Sequence, residues 1–229
     1  MLVVSVALNF KEDFMSELTI YFVRHGKTLF NLFNRMQGWV DSDLTEDGKE
    51  DAIKAGKRLA DIKFDCAYSS NTGRAEATRD LVVSQLQQHP SKVGAMPEFR
   101  EVLFGYYEGL DSDQIWNEIG TPYGYHTQEA IIEAGGLRYA RELMKKEDPS
   151  HMAETYDEVI NRWQAGIDQL QQAYPNGAKV LIVTHGTSLR MFADHLGIET
   201  LNNYPENGSI STLTVDADGE RFTSYNQKD

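Results

Sequence analysis

Two short apolar runs constrain this chain more than any other feature of it. Residues 18–23, LTIYFV, and residues 179–183, KVLIV, are rich in β-forming side chains, and each runs through one further residue into His-Gly, at 25–26 and at 185–186. Unbroken apolar runs of this length are what strands buried on both faces of a parallel sheet require. If the two strands are neighbours, His25 and His185 leave the sheet at one edge although 160 residues separate them. The GKT that ends YFVRHGKT is not the tail of a phosphate-binding P-loop. That loop needs a glycine five positions before Gly26, and Tyr21 stands there.

The segments between the two runs alternate. Thr45 is a candidate N-cap for a helix over about 46–60, with acids in its first turn and apolar residues at helical spacing. FDCAYSS reads as a short strand entering a loop, and residues 72–88 as the next helix, closed by Pro90. Strand-helix alternation predicts a largely parallel sheet covered by helices on both faces, with sites at the carboxyl ends of its strands. From Asp111 to Tyr174 the pattern is mainly helical, which predicts a helical insertion at about 111–150 and then a helix leading back to the sheet. Near the C-terminus, Asp218-Gly219 separates two alternating runs, a hairpin signal. With no repeat or linker to divide it, the chain reads as one α/β domain.

Charge and cysteine content narrow the chemistry. A formal net charge of −13 argues against a nucleic-acid or membrane-surface binder, which needs a basic footprint. An anionic ligand must therefore be held by a local cluster of arginines. Cys66 is the only cysteine, so neither an internal disulfide nor a Cys-rich zinc site can form. A reducing, cytoplasmic location fits. No apolar run approaches the roughly 18 residues that span a bilayer. Residues 1–14 lack a basic n-region and a cleavage site, and Met15 is the expected physiological start.

A neutral imidazole can attack phosphorus and split one difficult displacement into two easier ones. Arg24 beside His25 can grip phosphate oxygens with a forked guanidinium, and its charge disfavours the protonated, non-nucleophilic ring. Gly26 lets the backbone approach an anion closely. A metal site is the competing reading. Arg24 would repel a dication, and no His or carboxylate lies four residues from His25 or His185, so neither a metal nor a cofactor is expected.

RHGKTLFN, LTEDG, YSSNTGRAEAT, FREVLFGYYEG and VTHGTSLR, in this order between Arg24 and Arg190, together resemble the histidine phosphatase superfamily, the phosphoglycerate-mutase-like group. The resemblance implies a three-layer α/β/α sandwich with a mixed, mostly parallel sheet. It also implies His25 as the phosphorylated nucleophile, with Arg24, Arg74 and His185 around the phosphoryl group and Asn31, Gly26 and Gly186 at its rim. One carboxyl must protonate the leaving oxygen and then serve as base for water; Glu101 takes that role by motif position, and Glu108 competes for it. Lys27 departs from the family's usual Glu or Gln and adds positive charge, Phe99 replaces a leucine, and Ala153 and Thr155 replace a Gly and a Ser. Trp116, Tyr123, Tyr125 and His126 in the insertion read as a substrate cover or as packing residues. The implied activity is hydrolysis of a small phosphomonoester, with a mutase and a non-catalytic phospho-ligand binder as alternatives.

Overall fold

The computed structural model describes residues 17–228. The expectation for residues 1–14, with Met15 as the start, lies outside them. Six strands form one sheet: β1 (Leu18–Arg24), β2 (Cys66–Ser69), β3 (Lys92–Ala95), β4 (Ala178–Thr184), β5 (Ile210–Asp216) and β6 (Gly219–Gln227), in the order β3-β2-β4-β1-β5-β6. The first four are mutually parallel, and β5 and β6 are antiparallel additions at one side. The sheet is thus mixed and mostly parallel, as the resemblance implies. The β5–β6 turn falls at Asp218-Gly219, where φ of +111° suits glycine.

Alternation along the central strands creates three layers. In β1, Ile20 and Phe22 face one helical layer while Val23 faces the other; in β4, Val180 and Ile182 oppose Leu181 and Val183. Helices α2 (Glu46–Arg58) and α3 (Gly73–Val83) cover the smaller face, packing Ala52, Ala55, Ala75 and Val82 against the sheet. The opposite face carries α6 (Tyr156–Ala173) and α7 (Gly186–His195), with the insertion helices α4 (Ser112–Gly120) and α5 (Gln128–Glu147) beyond them. A four-residue helix, α1 (Leu29–Leu32), follows the first His-Gly. Among the described residues, no helix is long and apolar enough to cross a membrane.

Three differences from the sequence expectation have local causes. The helix predicted over 72–88 is helical only to Val83, because the Ser84 hydroxyl donates to the Leu81 carbonyl and the chain then folds through a turn that buries Leu86. Edge strand β3 has Val93 as its one large apolar residue, and that side chain is exposed, so no alternation announces it. Helix α5 is interrupted at Gly136, whose φ of +79° only glycine tolerates cheaply.

The aromatic centre of the larger face lies directly under the sheet edge where the site forms. The ring of Trp163 stacks on Phe192 at 5.2 Å and meets Phe22 and Phe99 at 5.2 and 5.3 Å. Truncating Trp163, which is fully buried, would cost about 3–5 kcal/mol. Its helix neighbour Arg162 donates to the carbonyls of Glu98, Arg100 and Glu101 at 2.8–2.9 Å. Core packing on α6 therefore fixes the segment that carries Glu101.

Candidate active site

Strand register brings the two His-Gly sequences together. β1 pairs with β4 in parallel with Arg24 opposite Thr184, so His25 and His185 are the next residues out, at the carboxyl ends of adjacent strands. Their ring centroids are 5.1 Å apart, close enough for one phosphoryl group to reach both. The His25 backbone N–H donates to the Thr184 carbonyl at 2.9 Å, locking the two exits in step.

Each imidazole has a defined tautomer. His25 Nδ1 lies 2.8 Å from the Gly26 carbonyl, which can only accept, so the proton sits on Nδ1 and Nε2 keeps its lone pair. His185 Nδ1 lies 3.1 Å from Arg74 Nη2, which can only donate, so Nδ1 accepts and Nε2–H donates to Ser70 Oγ at 2.6 Å. Burial, then the charges of Arg74 and Arg24, hold His25 well below the usual histidine range. His185 is depressed likewise, first by burial and then by Arg74. Both rings are neutral at neutral pH, the state nucleophilic attack requires of His25.

The two arginines differ in engagement. Arg74 is 1% exposed and enclosed by the segment 37–41: Nη1 donates to the Val40 carbonyl at 2.8 Å and pairs with Asp41 at 2.9 Å, and Nη2 donates to the carbonyls of Gly38 and Gln37 at 2.7 and 3.3 Å. Its Nε faces His25 Nε2 at 3.4 Å. Burial pulls Arg74 below the usual arginine range, opposed by Asp41 and then by Glu101 and Glu108. Arg24 is less committed. One terminal nitrogen donates to the Pro205 carbonyl, its plane lies over the Tyr204 ring at 5.0 Å, and its buried Nε has no partner among the described residues. An unpaired buried donor beside an unprotonated imidazole nitrogen is a place for an anion's oxygen.

Glu101 and Glu108 occupy distinct positions. Glu101 caps α7: Oε1 accepts from Val102 N and Ser188 N at 2.8 and 2.7 Å, and Oε2 accepts from Thr187 N at 2.9 Å. Oε2 thus keeps one lone pair free, and the residue lines the cavity. Glu108 is off the cavity wall and accepts from four backbone N–H groups, those of Gly38, Trp39 and Phe104 at 3.0 Å and that of Val40 at 3.2 Å.

The cavity measures about 450 Å³, and its wall includes Arg24, His25, Lys27, Asn31, Glu101 and Trp116. Arg74 and His185 are not on that wall; Arg74 bridges the two imidazoles, at His25 Nε2 and His185 Nδ1. Asn31 Oδ1 is held by Thr28 N at 3.1 Å and Asn207 Nδ2 at 3.4 Å, which leaves its Nδ2 as the donor for a ligand. Gly26 has a structural reason that the sequence did not indicate: a Cβ there would stand 2.0 Å from the Gly48 carbonyl oxygen of α2. At Gly186 a Cβ would meet the Tyr204 hydroxyl at 2.4 Å and Arg24 Nε at 2.9 Å. Of the insertion residues, Trp116 reaches the cavity, whereas Tyr123 donates to Glu147 at 2.6 Å, Tyr125 packs on Tyr139, and His126 pairs with Asn117 in an adjoining recess.

Sequence reasoning missed several contributors. Asn207 donates to the His25 carbonyl at 2.9 Å from the turn before β5, and Tyr204 covers Arg24 from the same segment. No periodicity marks either. Ser70 had a signal, since it follows β2 at the carboxyl edge where sites in such sheets lie.

Comparison with known proteins identifies the family and the fold. The family model described as histidine phosphatase superfamily (branch 1) matches residues 20–228. A 2,3-bisphosphoglycerate-dependent phosphoglycerate mutase of Bartonella henselae is 30% identical, over 82% of this chain and 84% of its own. Among solved structures, phosphoglycerate mutase from Bacillus anthracis superposes with a TM-score of 0.88 at 31% identity, covering 95% of this chain and 96% of that one. A mycobacterial glucosyl-3-phosphoglycerate phosphatase shares the fold, with a TM-score of 0.69 at 24% identity over 93% and 99% of the two chains.

Proposed function

Because the chain belongs to the histidine phosphatase superfamily, we propose that it is a phosphomonoester hydrolase that works through a phosphohistidine on His25. The observation that carries this reading is a buried, neutral imidazole whose Nε2 is unprotonated and accepts only a long bond from Arg74 Nε at 3.4 Å, set beside Arg24, whose buried Nε has no partner among the described residues. In the first step Nε2 attacks phosphorus, the P–O ester bond breaks, and Glu101 gives its proton to the departing alkoxide. The Nδ1–H bond to the Gly26 carbonyl supports the positive charge the ring acquires. In the second step Glu101 takes a proton from water, the oxygen of that water attacks phosphorus, and the N–P bond breaks to release inorganic phosphate. Arg24 and Asn31 hold the equatorial oxygens, and Arg74, which gives up its long bond to His25 Nε2 as phosphorus arrives, stands with His185 beside the phosphoryl group. Phosphoryl transfer rests mainly on such positioning and electrostatics. The substrate is a small phosphomonoester, and the reducing cytoplasm is the compartment that suits a chain whose one thiol, Cys66, is buried and free.

A second reading is favoured by the names of the relatives near 30% identity: a mutase returns the phosphoryl group to another hydroxyl of the same molecule. Against it, DSDQIWNEIGTPYGY after the Glu motif lacks recognisable mutase blocks. Assaying phosphate release and interconversion of phosphoglycerates on the same preparation separates the two. Hydrolysis predicts phosphate released from several esters with negligible interconversion; rapid interconversion with little phosphate would establish the mutase.

A further inference from the structure

Glu108 stands in the same sequence block as Glu101, yet it lies off the cavity wall and is absent from the proposed chemistry. Its surroundings give it another task. The peptide unit joining Gln37 and Gly38 donates its N–H to Glu108 Oε2 at 3.0 Å, while its C=O accepts from Arg74 Nη2 at 3.3 Å. The next unit, joining Gly38 and Trp39, donates to Oε1 at 3.0 Å and accepts from the same Nη2 at 2.7 Å. In a trans peptide the N–H and C=O point in opposite directions. Both units therefore span the gap between a carboxylate and a guanidinium, positive ends toward Glu108 and negative ends toward Arg74. Val40 joins from both sides, its N–H on Oε2 at 3.2 Å and its carbonyl on Arg74 Nη1 at 2.8 Å.

We propose that Glu108 is a positioning residue: through the backbone of residues 37–41 it fixes the Arg74 guanidinium between the two imidazoles, without touching substrate. This inference rests on the functional reading above. The relay ends at Arg74 Nε, 3.4 Å from His25 Nε2, and at Nη2, 3.1 Å from His185 Nδ1. Gly38 is part of the device, because a Cβ there would stand 2.1 Å from the Val102 carbonyl and 2.3 Å from Glu108 Oε1. A side chain at 38 would push the segment off the carboxylate. Charge matters as well as shape. One carboxylate accepts four N–H groups, whereas an amide of the same size offers one acceptor oxygen and turns two donors toward N–H groups. The link is indirect in space and direct in charge, since the anion of Glu108 also offsets part of the cost of burying Arg74.

The test is Glu108→Gln, with Glu108→Asp as the conservative variant and Asp148→Asn as control. Asp148 accepts from the backbone N–H groups of Tyr106, Ser150, Met152 and Ala153, comparable structural work remote from Arg74. The groups facing His25 are Arg24 on β1, Arg74 on α3, His185 before α7 and Glu101 across the cavity, with Lys27, Arg35, Glu129 and Arg190 elsewhere on the cavity wall. Displacing Arg74 alone among them removes a charge that keeps His25 deprotonated, so the acid limb of kcat/KM must move to higher pH. Glu108→Gln is expected to lower kcat on p-nitrophenyl phosphate roughly 10- to 100-fold, as a misplaced electrostatic group does. It should also weaken vanadate inhibition and move the acid limb upward. Glu108→Asp restores part of each, and Asp148→Asn lowers Tm without moving the limb. If Glu108→Gln does not fold, Glu108→Asp carries the same measurements with the same signs. A folded Glu108 variant with an unmoved acid limb and unaltered vanadate affinity overturns the proposal, as does a limb shift of equal size in Asp148→Asn. Full activity in His25→Ala, measured alongside, would instead overturn the functional reading itself.

Discussion

Replacing Glu101 by Gln separates two tasks, because the residue is a helix cap in the structure and the proton carrier in the proposed mechanism. The cap consists of three backbone N–H bonds, two on Oε1 and one on Oε2. Glutamine keeps an oxygen for the pair on one side and turns an amide NH2 toward the third donor, so about 1–2 kcal/mol of stability should be lost. For a chain of this size that corresponds to a fall in Tm of roughly 2–8 °C. The catalytic loss should be larger. A positioned acid-base group contributes about 10²–10⁴ in rate, equivalent to roughly 3–5 kcal/mol of barrier. The two tasks respond differently to the leaving group. An alkyl phosphate needs the proton in the first step, so Glu101→Gln should lose the full factor in kcat. p-Nitrophenyl phosphate has a leaving group that departs without one, so its first step survives while hydrolysis of the phosphoenzyme stalls. Stopped-flow measurement should show a burst approaching one p-nitrophenolate per enzyme, followed by slow turnover. Equal losses on both substrates with no burst would refute the assignment of Glu101 and leave it as a cap alone.

Further outcomes follow from the same geometry. Both buried imidazoles have folded-state pKa values well below their unfolded value near 6.5, so the unfolded chain binds more protons as pH falls. Their contribution to stability is therefore complete above about pH 6.5 and is lost below it, by about 1.4 kcal/mol per pH unit for each ring, which urea titrations across pH 5–8 would measure. Ala at position 26 has no room, with backbone 2.0 Å from its Cβ, and Gly26→Ala should cost upwards of ~3 kcal/mol or prevent folding. A chemical-denaturation midpoint within error of the parent would contradict it. Asn207→Ala removes the donor to the His25 carbonyl and should lower kcat/KM roughly tenfold, with about 1 kcal/mol of stability lost.

The sheet was legible because its central strands are apolar on both faces, and β1, β2, β4 and the terminal hairpin all carry that signature or its alternating counterpart. β3 was not legible, since one exposed valine leaves no pattern, and neither was the early end of α3, which a serine-backbone bond decides. Within the site, His25 and His185 were legible from their matching strand exits, and the β1–β4 register then brings them together. What the sequence could not show is which groups face the cavity. Arg74 and His185 are buried and off the cavity wall, and the close approach of α2 gives Gly26 its reason. Asn207 and Tyr204 arrive from a segment with no periodic signal, and their place depends on β5 lying beside β1.

The central claim is that His25 carries the phosphoryl group, and trapping that adduct tests it most directly. Enzyme mixed with a phosphomonoester, quenched in alkali within a single turnover and mapped by mass spectrometry, should carry one acid-labile phosphoryl group on His25 that forms as fast as turnover requires and is missing in His25→Ala. Turnover with no phosphorylated His25 at any quench time, or undiminished turnover by His25→Ala, would contradict it.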